Sequence, residues 1–167
     1  MIINLIKYYS FLSLVIIPIT MSANDITMPP DEVLKMPLPL PYNGEIYSES
    51  DIERFLDSSI NKSKQPIIIF GGNWCPDCRI LEGTLKLRTI KKYMIEHYEI
   101  MHVDVGRYDK NMNLISYFKI PKEEGVPRVL VFDTNKNILN MESTKEWTTA
   151  RDRKQQEIFN YFQALVQ

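Results

Sequence analysis

Trp74-Cys75-Pro76-Asp77-Cys78 holds both cysteines of this 167-residue chain. The pair is separated by two residues. It follows the apolar run Pro66-Ile67-Ile68-Ile69-Phe70 and precedes a segment with helical spacing. Two thiols so placed can close a small disulfide and reopen it, which is the chemistry of thiol–disulfide exchange. A zinc site needs further soft or nitrogen ligands. The chain offers only His97 and His102, five residues apart and far along the sequence. Redox exchange is therefore the favoured reading, with metal binding and a purely structural bridge as the alternatives.

The rest of the chain reads outward from this stretch. Its length is one domain's worth, and 44% hydrophobic residues mark it as globular. A net charge of −1, with no basic block, gives no sign of nucleic-acid binding. Lys7, the apolar run Phe11 to Ile17, Pro18 and the small pair Ser22-Ala23 have the layout of a secretory signal peptide over residues 1–23. The alternative is a retained membrane anchor, for which the run is short against the roughly 20 residues of a spanning helix. The expectation is cleavage after Ala23, a periplasmic or secreted protein, and no stable membrane insertion. Disulfides persist in such compartments. A chain with no other cysteine does not use them as scaffolding.

Residues 24–47 carry Pro29, Pro30, Pro37, Pro39 and Pro41, an extended lead-in expected to be loose or draped over the domain. Ser50 and Glu53 suggest a capping box for a helix carrying Ile52, Phe55, Leu56 and Ile60. Pro66 to Phe70 suits a strand buried on both faces. A helix starts near Cys75, with Pro76 in its first turn. Tyr98 to Val103 reads as the next strand, Asn111 to Phe118 as a helix, and Val126 to Phe132 as a third strand. Asn137 to Met141 reads as a fourth strand, closing a hairpin. The tail from Thr148 to Val166 reads as helical, with Ile158, Phe159 and Phe162 inward. Helices alternating with strands and ending in a hairpin imply a mixed sheet covered on both faces. Asp104, Asp109 and Asn111 resemble a metal cluster only faintly, and capping of the following helix is the better reading.

The strand–Trp-Cys-Pro-Asp-Cys–helix unit, the later Gly125-Val126-Pro127 and the closing hairpin and helix resemble the thioredoxin family, over about residues 48–167. The resemblance implies a three-layer α/β fold with four to five strands in a mixed sheet. It implies an oxidoreductase whose only redox group is its own dithiol, without added cofactor or metal. Cys75 is expected to be the exposed, attacking sulfur at a helix N-terminus and Cys78 the resolving thiol. Trp74 resembles the family's aromatic lid, and Pro127 its cis-proline, beside which the Val126 backbone meets an extended substrate. The partners implied are protein thiols and disulfides of the envelope and an electron donor.

Three departures stand out. Ile69 occupies the place of the family's buried aspartate, six residues before the first cysteine. Gly83 replaces the usual helix-kinking proline. Pro121-Lys122-Glu123-Glu124 lengthens the loop before Gly125 and is expected to place Glu123 and Glu124 beside the substrate groove. Asp77, between the cysteines, is expected to oppose a nearby thiolate by like charge. That favours a reductase over an oxidase or isomerase. A binding or chaperone module with incidental or zinc-binding thiols is the alternative from another class.

Overall fold

The computed structural model describes residues 26–121 and 125–167. The signal-peptide and cleavage expectation and the pair Glu123 and Glu124 lie outside the described residues. Helix α1 (Glu49–Asn61) leads into strand β1 (Gln65–Gly71), then helices α2 (Pro76–Leu85) and α3 (Arg88–His97). Strand β2 (Tyr98–Asp104), helix α4 (Met112–Tyr117) and strand β3 (Arg128–Val131) follow. Two 3₁₀ segments, Met141–Ser143 and Glu146–Asp152, precede helix α5 (Gln155–Leu165).

The sheet has the order β2-β1-β3. Strand β1 is parallel to β2 and antiparallel to β3. Every β1 residue is buried, because the central strand is covered on both faces. Alternate side chains feed two cores. Ile68 and Phe70 pack with Ile52 and Leu56 of α1 and Leu114 and Ile115 of α4. Ile67 and Ile69 pack with Leu81, Ile90, Met94, Trp147, Ile158, Phe159 and Phe162. The result is the three-layer thioredoxin-like arrangement. Among the described residues no helix is long and apolar enough to cross a membrane.

Among the described residues the sheet has three strands rather than four or five. Segment 137–141 does run beside β3, joined by the Phe132–Ile138 bridge and the bond from Leu139 N to Val131 O at 2.8 Å. Buried Asn140 then replaces the backbone ladder with its own amide. Its Oδ1 accepts from Val131 N and its Nδ2 donates to Val129 O, both at 2.8 Å. A side chain that satisfies those ladder groups removes the need for a fourth strand.

Three local readings are also corrected. The capping box sits two residues earlier, with Ser48 as N-cap and Asp51 returning the bond. The helical tail is broken into the 3₁₀ segment Glu146–Asp152 and α5, with Arg153 extended between them. Asn111 is the N-cap residue of α4, but its side chain does not cap. It ties the lead-in instead, donating to Glu45 O and Asp104 O and accepting from Tyr47 N.

The lead-in is draped and pinned along its length. Met28 N donates to Gln156 of α5. Glu32 accepts from Thr89 N at 2.9 Å and Thr89 Oγ1 at 2.7 Å, which caps α3 from a distance in sequence. Arg79 of α2 donates to Leu38 O at 2.9 Å and Pro39 O at 3.3 Å. Leu34 and Leu38 rest on Gly83 so closely that a Cβ there would come within 3.0–3.2 Å of them. At Gly83, then, the missing side chain makes room for the lead-in.

Candidate active site

Strand β1 ends at Gly71, and the turn Gly72-Asn73-Trp74 delivers Cys75 to the start of α2. Cys75 is itself the N-cap residue, with extended backbone (φ −86°, ψ 118°), and Pro76 fills the first helical position. Its sulfur accepts from Cys78 N at 3.2 Å. A helix start leaves such amides unpaired, and here one is spent on a sulfur. The hydrogen bond with the Cys78 side chain is the largest influence on the Cys75 thiol; burial opposes it, and the Cys78 amide reinforces it. The thiol pKa is lowered to about 7. Burial, and then the neighbouring Cys75, push the Cys78 thiol strongly upward. The two cysteines are free thiols with opposite tendencies to ionise. One side is prepared as a nucleophile and the other holds its proton.

Cys75 is not exposed, contrary to the expectation for an attacking sulfur. Only 4% of it reaches solvent. It packs in the same core as Val105, Val126 and Tyr42. Its thiol lies 3.5 Å from Val126 O, to which it donates. The Val126–Pro127 peptide is cis. Buried Arg128 brackets the loop before it, donating to Gly125 O at 2.8 Å and Pro121 O at 2.7 Å. Gly125 turns the chain at φ +78°, a conformation that favours glycine.

Trp74 stands at the rim, 36% exposed. Its indole N–H donates to Gly106 O. Arg107 stacks over the ring at 4.8 Å, and Tyr108 meets it edge-on at 5.7 Å. Trp74, Tyr108 and Val126 therefore surround the approach to Cys75.

Asp77 does not face the thiols as a free carboxylate. It is 2% exposed and clamped by Arg151, whose backbone N donates to Oδ1 at 2.8 Å and whose guanidinium grips both oxygens. Its charge still works against the Cys75 thiolate, behind the larger influences. Ile69 lies in the core layer that contains neither cysteine. Among the described residues no group of three or more His, Cys, Asp or Glu side chains is placed to hold a metal.

Sequence reasoning missed Tyr42, Asn73, Arg128 and Arg151 at this site. Asn73 sits between Gly72 and Trp74, and Arg128 directly follows Pro127, so both lay beside motifs already singled out. Tyr42 and Arg151 come from distant parts of the chain.

This site sits in a chain that belongs to the thioredoxin-like family, whose model matches residues 47–134. Among solved structures, the chain is similar to a disulphide isomerase from Xylella fastidiosa, at 27% identity and a TM-score of 0.69. That likeness covers 77% of this chain and 98% of the other. A protein of unknown function from Pseudomonas aeruginosa is 17% identical over 71% of this chain and 73% of its own, with a TM-score of 0.41. The C-terminal domain of Neisseria meningitidis DsbD in its oxidised form is 16% identical over 65% of this chain and 98% of its own, with a TM-score of 0.42. No curated protein matches the chain.

Proposed function

We propose that the protein is an exported thiol–disulfide oxidoreductase that reduces protein disulfides. The observation that carries the reading is Cys75 as N-cap of α2, its sulfur bonded to Cys78 N and set against the carbonyl before the cis-proline. The Cys75 thiolate attacks one sulfur of a substrate disulfide. The other substrate sulfur leaves and takes a proton, and Cys75 is held in a mixed disulfide. Cys78 then attacks Cys75, releases the second substrate thiol with its proton, and closes the Cys75–Cys78 disulfide. Two electrons have passed to the substrate. A dithiol donor of the envelope returns them. Trp74 and Tyr108 line the approach, and the Val126 backbone lies alongside the incoming chain. Glu123 and Glu124 are proposed to favour partners with basic residues. Export rests on the signal-like segment ending at Ala23.

The degree of activation supports the reducing direction. Strong oxidants depress the attacking thiol to ~3.5, whereas reductants hold it near ~7. A Cys75 pKa of about 7 belongs with the second group. Isomerase activity is the second reading, favoured by the likeness to the Xylella disulphide isomerase. Insulin reduction, reshuffling of a scrambled-disulfide protein and equilibration with glutathione test the assignment. The expected result is insulin reduction with a potential nearer −270 than −120 mV, the rough limits for family reductants and oxidants. A potential near the upper limit would make the protein an oxidase. Efficient reshuffling with little net reduction would make it an isomerase.

A further inference from the structure

Among the described residues, the two carboxylates that α2 brings near the dithiol are already committed. Asp77 is held by Arg151. Glu82, one turn beyond Cys78, pairs with His102 Nε2 at 2.8 Å and Lys86 Nζ at 3.0 Å. Burial works against its charge, but the bonds from His102 and Lys86 outweigh it and hold its pKa below the ordinary carboxylate value. Ile69 supplies only hydrocarbon. None of these groups is free to attend to the Cys78 thiol.

Tyr42 is free to do so. It arrives on the proline-rich lead-in and is 5% exposed. Asn73, two residues before Cys75, locks its backbone from both sides. Tyr42 N donates to Asn73 Oδ1 at 3.1 Å, and Asn73 Nδ2 donates to Tyr42 O at 2.7 Å. The ring meets His102 edge-on at 5.5 Å. The hydroxyl is buried without a well-formed hydrogen bond. It converges with Cys78 Sγ on the open face of Gly71, where a Cβ would fall within 3 Å of both atoms. A buried hydroxyl whose polar neighbour is the weakly accepting Cys78 thiol is under-satisfied in the resting protein, and the same sulfur as a thiolate is a much stronger acceptor.

The geometry points to Tyr42 as a positioning residue for the second half of the exchange: its O–H donates to Cys78 Sγ as that sulfur becomes a thiolate. The inference rests on the exchange reading above. The balance is that of the resolving step. Cys78 loses its proton and forms the bond to Cys75, and the departing substrate sulfur gains a proton. Tyr42 keeps its own throughout, consistent with a phenol that burial, and then Cys78, hold far above its ordinary pKa. The other titratable groups around the pair are Cys75, Asp77 and Glu82 from α2, His102 and Asp104 from β2, and Tyr108 from the following loop.

The test uses a chromogenic aryl disulfide that releases one coloured thiol on attack and a second on resolution. Wild-type protein should give both releases. Tyr42→Phe keeps the ring and removes the donor. It should leave the first release unchanged and slow the second about tenfold, the scale of one hydrogen bond to a charged group. The pH profile of the second release should move to higher pH, because a thiolate without its donor is harder to form. A merely structural role would not move that profile. Asn73→Ala leaves the hydroxyl but unpins its backbone; it should slow the second release by a smaller factor, and it carries the test if Tyr42→Phe does not fold. An unchanged second release in both variants, or equal slowing of both steps, would overturn the inference while leaving the exchange reading intact. A wild-type protein that gives no release at all would remove both.

Discussion

Arg151 and Asp77 form a two-pronged ion pair that fastens the first turn of α2 to the 3₁₀ segment before α5. The carboxylate is buried and the guanidinium side chain is 52% exposed. The two ends are therefore unequal. Arg151→Ala strands a buried charge one residue before Cys78, whereas Asp77→Asn leaves a neutral acceptor. Arg151→Ala should raise the Cys75 pKa above its value of about 7 and Asp77→Asn should lower it. Thiolate absorbance against pH reads both shifts. Arg151→Ala should also lower the thermal midpoint more than Asp77→Asn. Shifts in the same direction would show that the pair acts only on structure.

The opposed thiols predict which cysteine is trapped. Cys78→Ser should accumulate mixed disulfides with partner proteins, and Cys75→Ser should accumulate almost none, as read on non-reducing gels. Equal trapping would contradict the assignment.

Linkage gives the same pair a stability signature. The folded Cys75 thiol ionises near pH 7, while its ordinary value is 9.0. Between those values the unfolded chain binds the extra proton, so the reduced protein gains stability as pH rises from 7 to 9 and loses it as pH falls back through 7. The oxidised protein has no such thiol. The difference in melting temperature between reduced and oxidised forms should move in favour of the reduced form across that window. A constant difference would remove the claim that Cys75 is activated.

The sequence showed what lies close together along the chain. Trp-Cys-Pro-Asp-Cys, the run Pro66 to Phe70 and Gly-Val-Pro were legible because strand, turn and helix start are contiguous there. What it hid is long-range. Helix α3 has no side-chain cap of its own; its cap is Glu32, 57 residues earlier. The fourth strand looked complete as a pattern, yet one amide, Asn140, takes over its ladder. Asp77 read as a free charge because Arg151 lies 74 residues away. Tyr42 read as part of a loose leader for the same reason.

Asn140 offers a direct check on that account. Asn140→Ala leaves Val131 N and Val129 O in the buried sheet without their amide partners. At about 1–3 kcal/mol for each of the two orphaned groups, the loss should be roughly 2–6 kcal/mol. Urea unfolding should show a lower midpoint with an unchanged slope. A loss within a few tenths would mean that backbone pairing closes the gap.

Glu32→Ala should loosen α3 alone. Hydrogen exchange at Thr89 and Ile90 should speed up several-fold, with α2 unaffected. Equal protection in both proteins would show that packing of Ile90 and Met94, rather than the cap, holds the helix start.

The pinned lead-in also bears on where the working unit begins. The family match starts at residue 47, so a shortened chain opening there would keep the whole sheet and both cysteines. It would lose Tyr42 beside Cys78, Glu32 at the head of α3 and the two leucines seated on Gly83. Such a chain should still engage a substrate disulfide and form the first covalent link. It should let go slowly, behaving more as a trap than as a catalyst.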